Sequence, residues 1–153
     1  MNSVQNCVVG SQVEPFQLSV VTPDLQHAQI QSADYQGRWL ALIFYPHDFS
    51  FVCPTELTGF SAEKPQFDQL NCDLLGVSID SLETHAQWLK TPANDGGVEG
   101  LRFPLASDPQ GVIRQSSLSR SIFIVFVVVA WKDIRENRNS LGWEGQCVCG
   151  SSW

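Results

Sequence analysis

Cys53 is the residue whose type and surroundings most clearly indicate chemistry in this sequence. It follows an apolar run, 39–45, and a short loop, and Pro54 comes directly after it at the start of a segment with helical character. Proline fits the first turn of a helix because its missing N–H would have no intrahelical partner there. The free N–H groups and the positive end of the helix dipole favour a thiolate at such a position. The pattern therefore predicts a nucleophilic Cys53, although a lone cysteine is more often a small buried hydrophobe.

Three neighbours of Cys53 are of types that support a nucleophile. Ser50 lies three residues before the cysteine and can offer a hydroxyl to a substrate oxygen, and Pro46 can shield the thiolate from water. Glu56 lies about one turn along the predicted helix, where its carboxylate can orient a cationic partner.

The elements that must position these residues read as strands alternating with helices. Continuous apolar runs predict central strands that are covered on both faces. Ser81 predicts a helix N-cap, and Thr91-Pro92 predicts the end of that helix. Pro65 predicts that the segment 53–70 forms two helical pieces, because an interior proline costs about 3 kcal/mol. The predicted strands occupy residues 16–21, 26–30, 39–45, 74–79 and 122–131, and residues 101–105 lead into another.

The segment around Cys53 resembles the peroxiredoxins, which are thiol peroxidases with a thioredoxin-like fold. Their signature is a proline, a threonine or serine four residues later, and the peroxidatic cysteine three residues after that. Pro46, Ser50 and Cys53 match it, and the resemblance to the typical two-cysteine branch covers about residues 14–108. Further matching segments are Phe44-Tyr45, Asp48-Phe49, Phe51-Val52, Pro54-Thr55-Glu56-Leu57, Phe60-Ser61, Leu75–Ser81, Thr84-His85, Trp88, Thr91-Pro92, Gly96-Gly97 and Phe103-Pro104-Leu105.

The resemblance implies an α/β, thioredoxin-like fold with a central mixed sheet flanked by helices. We expect a single domain over residues 1–153, in which 109–153 form a divergent, cysteine-containing C-terminal tail. The implied activity is reduction of hydrogen peroxide and small organic hydroperoxides by Cys53. No metal, haem or flavin cofactor is expected, because the thiol itself carries the electrons. The implied reductant is a thioredoxin-like dithiol protein.

In the family an arginine that lies just before an apolar strand completes the site. Arg120, followed by Ser-Ile-Phe-Ile-Val, has that form and is our candidate. A competing alignment sets residues 108–114 against the hairpin that follows the family's strand. In that alignment the arginine-bearing strand is deleted, and Arg120 is an ordinary flanking charge.

The family also implies a second, resolving thiol, which a partner subunit supplies in a homodimer that often assembles further into rings. Cys149 keeps the family's preceding valine and its spacing to a tryptophan, here Trp153, so Cys149 is the candidate and Cys147 the alternative. Glycine replaces the proline that follows the family's cysteine. The loop sequence Gly96-Gly97-Val98-Glu99 differs from that of peroxide-sensitive members, and no tail follows Trp153, which predicts resistance to overoxidation.

Composition narrows the remaining possibilities. The chain has 153 residues and a net charge of −7, which argues against nucleic acid and anionic membranes as partners. The apolar segment 122–131 is too short to span a bilayer, and no signal peptide is evident. Five cysteines at irregular spacing suit a reducing, cytoplasmic environment. The absence of a C-x-x-C motif disfavours a thiol–disulfide oxidoreductase.

A non-catalytic alternative rests on residues 109–146, which do not follow the family closely. A rearranged chain could expose an edge strand and act as a binding or structural protein. For His85 the sequence favours a packing or interface position over a catalytic role. His47 is expected to be solvated, and Cys72 is expected to be structural.

Overall fold

The structure, a computed structural model, describes residues 15–50, 53–111, 113, 125–132 and 144–150, with Cys53 and the last two ranges described by their backbone. The described strands are β1 (Gln17–Val21), β2 (His27–Gln31), β3 (Trp39–Phe44), β4 (Cys72–Ser78), β5 (Leu105–Ser107), β6 (Val125–Lys132) and β7 (Glu144–Gly150). The described α-helices are α1 (Cys53–Gln69) and α2 (Leu82–Lys90), and short 3₁₀ turns cover Ser32–Tyr35 and Ala93–Asp95. Within these residues, no helix is long and apolar enough to cross a membrane.

The strands form one mixed sheet in the order β2-β1-β5-β4-β3-β6-β7. The central strands β3, β4 and β5 run parallel, and the outer strands pair antiparallel. The strands β3 and β4 are joined through α1, which makes a βαβ unit at the centre of the sheet. The predicted α/β, thioredoxin-like fold with a mixed sheet is confirmed.

Strand β3 is buried on both faces of the sheet, as its unbroken apolar sequence predicts. Its Leu40 and Leu42 belong to one core cluster. Ala41 and Ile43 alternate with them and belong to a second cluster, which also contains Leu57 of α1. We call the side that α1 and α2 cover the helix face, and the side of Leu40 and Leu42 the opposite face.

Helix α1 continues through Pro65, so the prediction of two helical pieces is wrong. Phe60 and Phe67 flank the proline, and both pack against the core of the helix face. Their rings lie 6.2 Å apart, centre to centre. The packing of these two aromatic side chains offsets the free-energy cost of the hydrogen bond that Pro65 cannot make. Tertiary packing commonly outweighs helix propensity in this way.

Helix α2 begins and ends where the sequence predicts. The Ser81 side chain accepts a hydrogen bond from the Thr84 N–H, and the helix ends at Lys90, before Thr91-Pro92. Trp88 and His85 share its buried face, and both side chains are fully buried. The helix therefore attaches to the sheet through one large apolar and one polar side chain.

The other strand predictions agree with the structure to within one or two residues for β1 to β4, and 101–105 does lead into β5. A strand also occupies most of the predicted range 122–131, as β6. The sequence did not predict β7 or the 3₁₀ turn at Ser32–Tyr35.

Candidate active site

The candidate residues lie where the chain leaves the sheet at the carboxyl end of β3. This strand ends at Phe44, α1 begins at Cys53, and the connecting loop carries Pro46 and Ser50. The Tyr45 N–H donates to the Val77 carbonyl of β4 at 3.1 Å, which keeps the start of the loop beside the neighbouring parallel strand. Ligands bind preferentially at this edge of an open α/β sheet.

Cys53 is the first residue of α1, as its sequence context predicts. The helix has 17 residues, and Pro54 is its second. The unpaired N–H groups and the partial positive charge of the helix N-terminus therefore lie at the backbone of Cys53. This environment favours the thiolate form of a cysteine over the thiol.

Ser50 and Glu56 each bury a polar atom without a described partner. The Ser50 Oγ and one carboxylate oxygen of Glu56, Oε2, are shielded from solvent and form no hydrogen bond within the part of the chain that the structure describes. Buried polar atoms are nearly always hydrogen-bonded in folded proteins, so exceptions often mark functional positions. The two atoms flank Cys53 in the sequence, one on the loop and one in the first turn of α1.

Asp48 anchors the middle of the loop. Its backbone N–H donates to Asp80 Oδ2 at 2.7 Å. Its side chain accepts a hydrogen bond from the Tyr45 hydroxyl at 2.9 Å and lies 2.7 Å from the His85 Nδ1. Burial, assisted by the Asp48 charge, raises the pKa of Tyr45 well above its ordinary value, so the hydroxyl keeps its proton and donates.

Asp80 is in turn fixed to the sheet. Its carboxylate accepts from the Ser78 hydroxyl at 3.2 Å, and its carbonyl accepts from the Ser107 hydroxyl at 2.6 Å. The loop is thereby tied through Asp48 and Asp80 to β4, β5 and α2, which are rigid elements of the fold.

Phe49 adopts a backbone conformation that non-glycine residues rarely use, with φ of 56°. Its ring lies 6.1 Å from that of Trp88, centre to centre, and 45% of the side chain remains exposed. A left-handed conformation at a bulky residue costs on the order of 1 kcal/mol or more and persists only when its surroundings hold it. The anchors on Asp48 and the contact with Trp88 are those surroundings.

The two histidines differ in environment. The His47 side chain is 59% exposed, in agreement with the prediction, and its Nδ1 lies 3.4 Å from Asp80 Oδ1. His85 is buried, as predicted for a packing position, but both of its ring nitrogens are hydrogen-bonded. The sequence offered no spacing that links Asp48 to His85, since 37 residues separate them.

Cys72 is the structural cysteine that the sequence predicts. It is buried, and burial raises the pKa of its thiol above the ordinary value, which lowers its thiolate fraction at neutral pH. Cys7 and Arg120 lie outside the described residues.

The register of β6 and β7 locates the remaining cysteines in the sheet. Val127 pairs with Leu42 of β3 on one side and with Cys149 on the other. Val129 pairs in the same way with Leu40 and Cys147. Residues directly opposite each other in neighbouring strands share a face. Residues 147 and 149 therefore occupy rows of the opposite face, whereas α1 covers the helix face.

Strand β6 begins at the same end of the sheet as the loop. Its first residue, Val125, pairs with Phe44, the last residue of β3. The strand that comes after Arg120 in the sequence therefore begins beside Phe44, the last residue of β3 before the Pro46–Ser50 loop.

Comparison with known proteins identifies relatives of this chain. The AhpC/TSA family model matches residues 9–119. The chain is 42% identical over 108 residues to peroxiredoxin-1 of Gekko japonicus, a match that covers 71% of this chain and 54% of that protein. It is 44% identical over 100 residues to peroxiredoxin-2 of Bos taurus, covering 65% and 50%. The chain spans about half the length of these curated relatives.

Solved structures show the same fold. The reduced 2-Cys peroxiredoxin of Plasmodium vivax superposes with a TM-score of 0.73 at 31% identity, covering 79% of this chain and 65% of that one. AhpC of Mycobacterium tuberculosis superposes with a TM-score of 0.68 at 31% identity, covering 80% and 79%.

Proposed function

This chain belongs to the AhpC/TSA family, the peroxiredoxins, and on that premise we propose that it reduces hydrogen peroxide and small organic hydroperoxides with Cys53. The observation that carries the proposal is the position of Cys53 as the first residue of α1, directly after a loop that bears Pro46 and Ser50. A helix N-terminus supplies the positive potential that a thiolate nucleophile needs.

In the proposed reaction, the Cys53 thiolate attacks the terminal oxygen of the hydroperoxide. A sulfur–oxygen bond forms as the O–O bond breaks, so the cysteine becomes a sulfenic acid. The other oxygen leaves as an alkoxide or hydroxide and takes up a proton to give an alcohol or water. Catalysis requires donors that stabilise the charge on this leaving oxygen.

Ser50 and the backbone N–H of Cys53 are the proposed donors. The partnerless Ser50 Oγ supports this role, because a bound peroxide would supply the hydrogen-bond partner that the described residues lack. Pro46, at the other end of the loop, is proposed to limit the access of water to the thiolate.

Arg120 is proposed as the cation of the site, with Glu56 as the carboxylate that orients it. The buried Glu56 Oε2 without a described partner supports this assignment, since a buried carboxylate requires a donor or a cation. The start of β6 beside Phe44 also supports it, because the chain from Arg120 leads to that end of the sheet. Arg120→Ala should then slow the reaction with peroxide by orders of magnitude. Arg102→Ala is the control, because Arg102 is exposed, and it should leave the rate unchanged.

The sulfenic acid is proposed to condense with Cys149 of a second subunit, releasing water and forming a disulfide. The register supports a bond between subunits, because residue 149 occupies a row of the opposite face while Cys53 begins a helix on the helix face. Non-reducing electrophoresis should show a peroxide-induced dimer that Cys149→Ser abolishes and Cys147→Ser retains. The reverse result would assign the resolving role to Cys147.

A homodimer, or a larger assembly of dimers, is the proposed functional unit, and a thioredoxin-like dithiol is the proposed reductant of the disulfide. The cytoplasm is the proposed compartment, since reduced thiols persist there. Residues 1–153 are proposed to form a single domain.

Peroxide consumption with a dithiol reductant tests the central proposal. Wild-type protein should turn over peroxide, and Cys53→Ser should reduce the rate to background. Cys72→Ala is the matched control, because the Cys72 thiol is buried and its pKa is raised, so its loss should leave turnover intact. Equal background rates in wild type and Cys53→Ser would favour the non-catalytic alternative.

A further inference from the structure

Beyond the proposed catalytic residues, the buried pair of Asp48 and His85 needs an explanation. Both side chains are fully shielded from solvent, and the His85 Nδ1 lies 2.7 Å from the Asp48 Oδ2. Burying two such polar groups is unfavourable unless their hydrogen bonds are complete. An apolar pair of similar volume would fill the same space without that cost, so packing alone does not require these two residues.

The hydrogen bonds of the pair are complete. The His85 Nε2 lies 3.2 Å from the Ala106 carbonyl of β5, and that oxygen can only accept, so Nε2 carries a hydrogen. The 2.7 Å contact between Nδ1 and the Asp48 carboxylate is also a hydrogen bond, so a second proton lies between these two atoms. The other carboxylate oxygen accepts from the Tyr45 hydroxyl.

The pair also connects distant parts of the chain at a defined place. Asp48 lies midway between Pro46 and Ser50, whereas His85 belongs to α2 and is bonded to β5. The left-handed backbone at Phe49, directly before Ser50, would relax if the loop were released. The direction of Ser50 therefore depends on how firmly Asp48 is held.

We propose that His85 is a positioning residue for the peroxide reaction, which acts through Asp48 to hold the loop that presents Ser50 beside Cys53. This inference rests on the proposed function, since it assigns His85 a role in the same reaction. His85 does not touch the substrate. It fixes the position of the Ser50 hydroxyl, which is the group proposed to contact the peroxide. Displacing a catalytic group by about 1 Å can lower the reaction rate about 100-fold.

Two conservative substitutions separate positioning from packing. In His85→Asn the amide N–H lies near the place of Nδ1 and can still donate to Asp48. In His85→Gln the amide reaches the place of Nε2 and can donate to the Ala106 carbonyl instead. The bimolecular rate constant of Cys53 with hydrogen peroxide should stay within a few-fold of wild type in His85→Asn, and should fall about 10- to 100-fold in His85→Gln.

Alkylation of Cys53 by iodoacetamide supplies a readout that unfolding would change and positioning would not. It needs the thiolate but not the Ser50 hydroxyl, so its rate in both variants should match that of wild type. A partly unfolded variant would show altered alkylation together with altered peroxide kinetics. In that case a double-mutant cycle with Asp48→Ala, measured on the soluble fraction at low temperature, decides the question.

If His85 acts through Asp48, the double variant His85→Gln, Asp48→Ala should react no more slowly than Asp48→Ala alone. Additive losses, or equal losses in His85→Asn and His85→Gln, would overturn the inference, as would full activity in all variants. Wild-type protein that fails to react with peroxide would instead refute the proposed function. The two failures are therefore distinguishable.

Discussion

Gly97 has no room for a side chain, and the consequence can be worked out from the structure. A Cβ added there would lie 1.9 Å from the carbonyl oxygen of Thr91 and 2.4 Å from its carbonyl carbon. Both are backbone atoms at the end of α2, so no side-chain rotation can relieve the overlap. Gly97→Ala must therefore displace either the loop or the helix end.

The displacement would break two hydrogen bonds that close the loop onto the helix. The Gly97 N–H donates to the Pro92 carbonyl, and the Glu99 N–H donates to the Thr91 carbonyl, each at 3.0 Å. Their loss costs about 1 kcal/mol each, and the overpacking costs about 1–3 kcal/mol more. We expect Gly97→Ala to lower the free energy of unfolding by about 3–5 kcal/mol.

Urea denaturation followed by circular dichroism measures this loss. With a slope of about 2 kcal/mol per molar urea, the midpoint should fall by about 1.5–2.5 M. Gly59→Ala is the matched control, because it lies on the exposed side of α1 with nothing within 4 Å of the added Cβ. That change should instead stabilise the protein by about 0.5–1 kcal/mol, since alanine is the better helix former. A Gly97→Ala midpoint equal to that of wild type would refute the reasoning.

Three further predictions concern stability at high pH, helix capping and oxidation. Burial raises the pKa of Tyr35 to about 12, so folding favours the protonated form of its hydroxyl. The free energy of unfolding should therefore fall by at most about 2–3 kcal/mol as pH rises from about 10 to about 12. Tyr35→Phe should flatten this pH profile when it is measured by urea titration. Ser81→Ala removes the cap of α2 and should cost about 1 kcal/mol at neutral pH, whereas a null effect in denaturation would show that the cap is dispensable. Mass spectrometry should find little Cys53 sulfinic acid at modest peroxide, because the Gly96–Glu99 loop departs from that of peroxide-sensitive members; rapid accumulation would contradict this.

The local features of the site could be predicted from the sequence. Proline after Cys53 indicated a helix start, and α1 does begin there. Ser81 and Thr91-Pro92 marked both ends of α2 for equally local reasons. Each of these depends on backbone geometry over a few consecutive residues, which residue types control directly.

Only the tertiary structure decided the features that join distant segments. Pro65 stands inside a continuous helix because Phe60 and Phe67, on either side of it, are partly buried against the core, and this burial is set by the packing of α1 on the sheet. The hydrogen bond between Asp48 and His85 joins residues that are 37 positions apart, so no local sequence pattern predicts it. The sequence alone predicted Cys53 as the nucleophile, because a helix N-terminus is a local structure. The fold determined what holds the loop beside it, because the partners of a buried polar group are those that packing brings within reach.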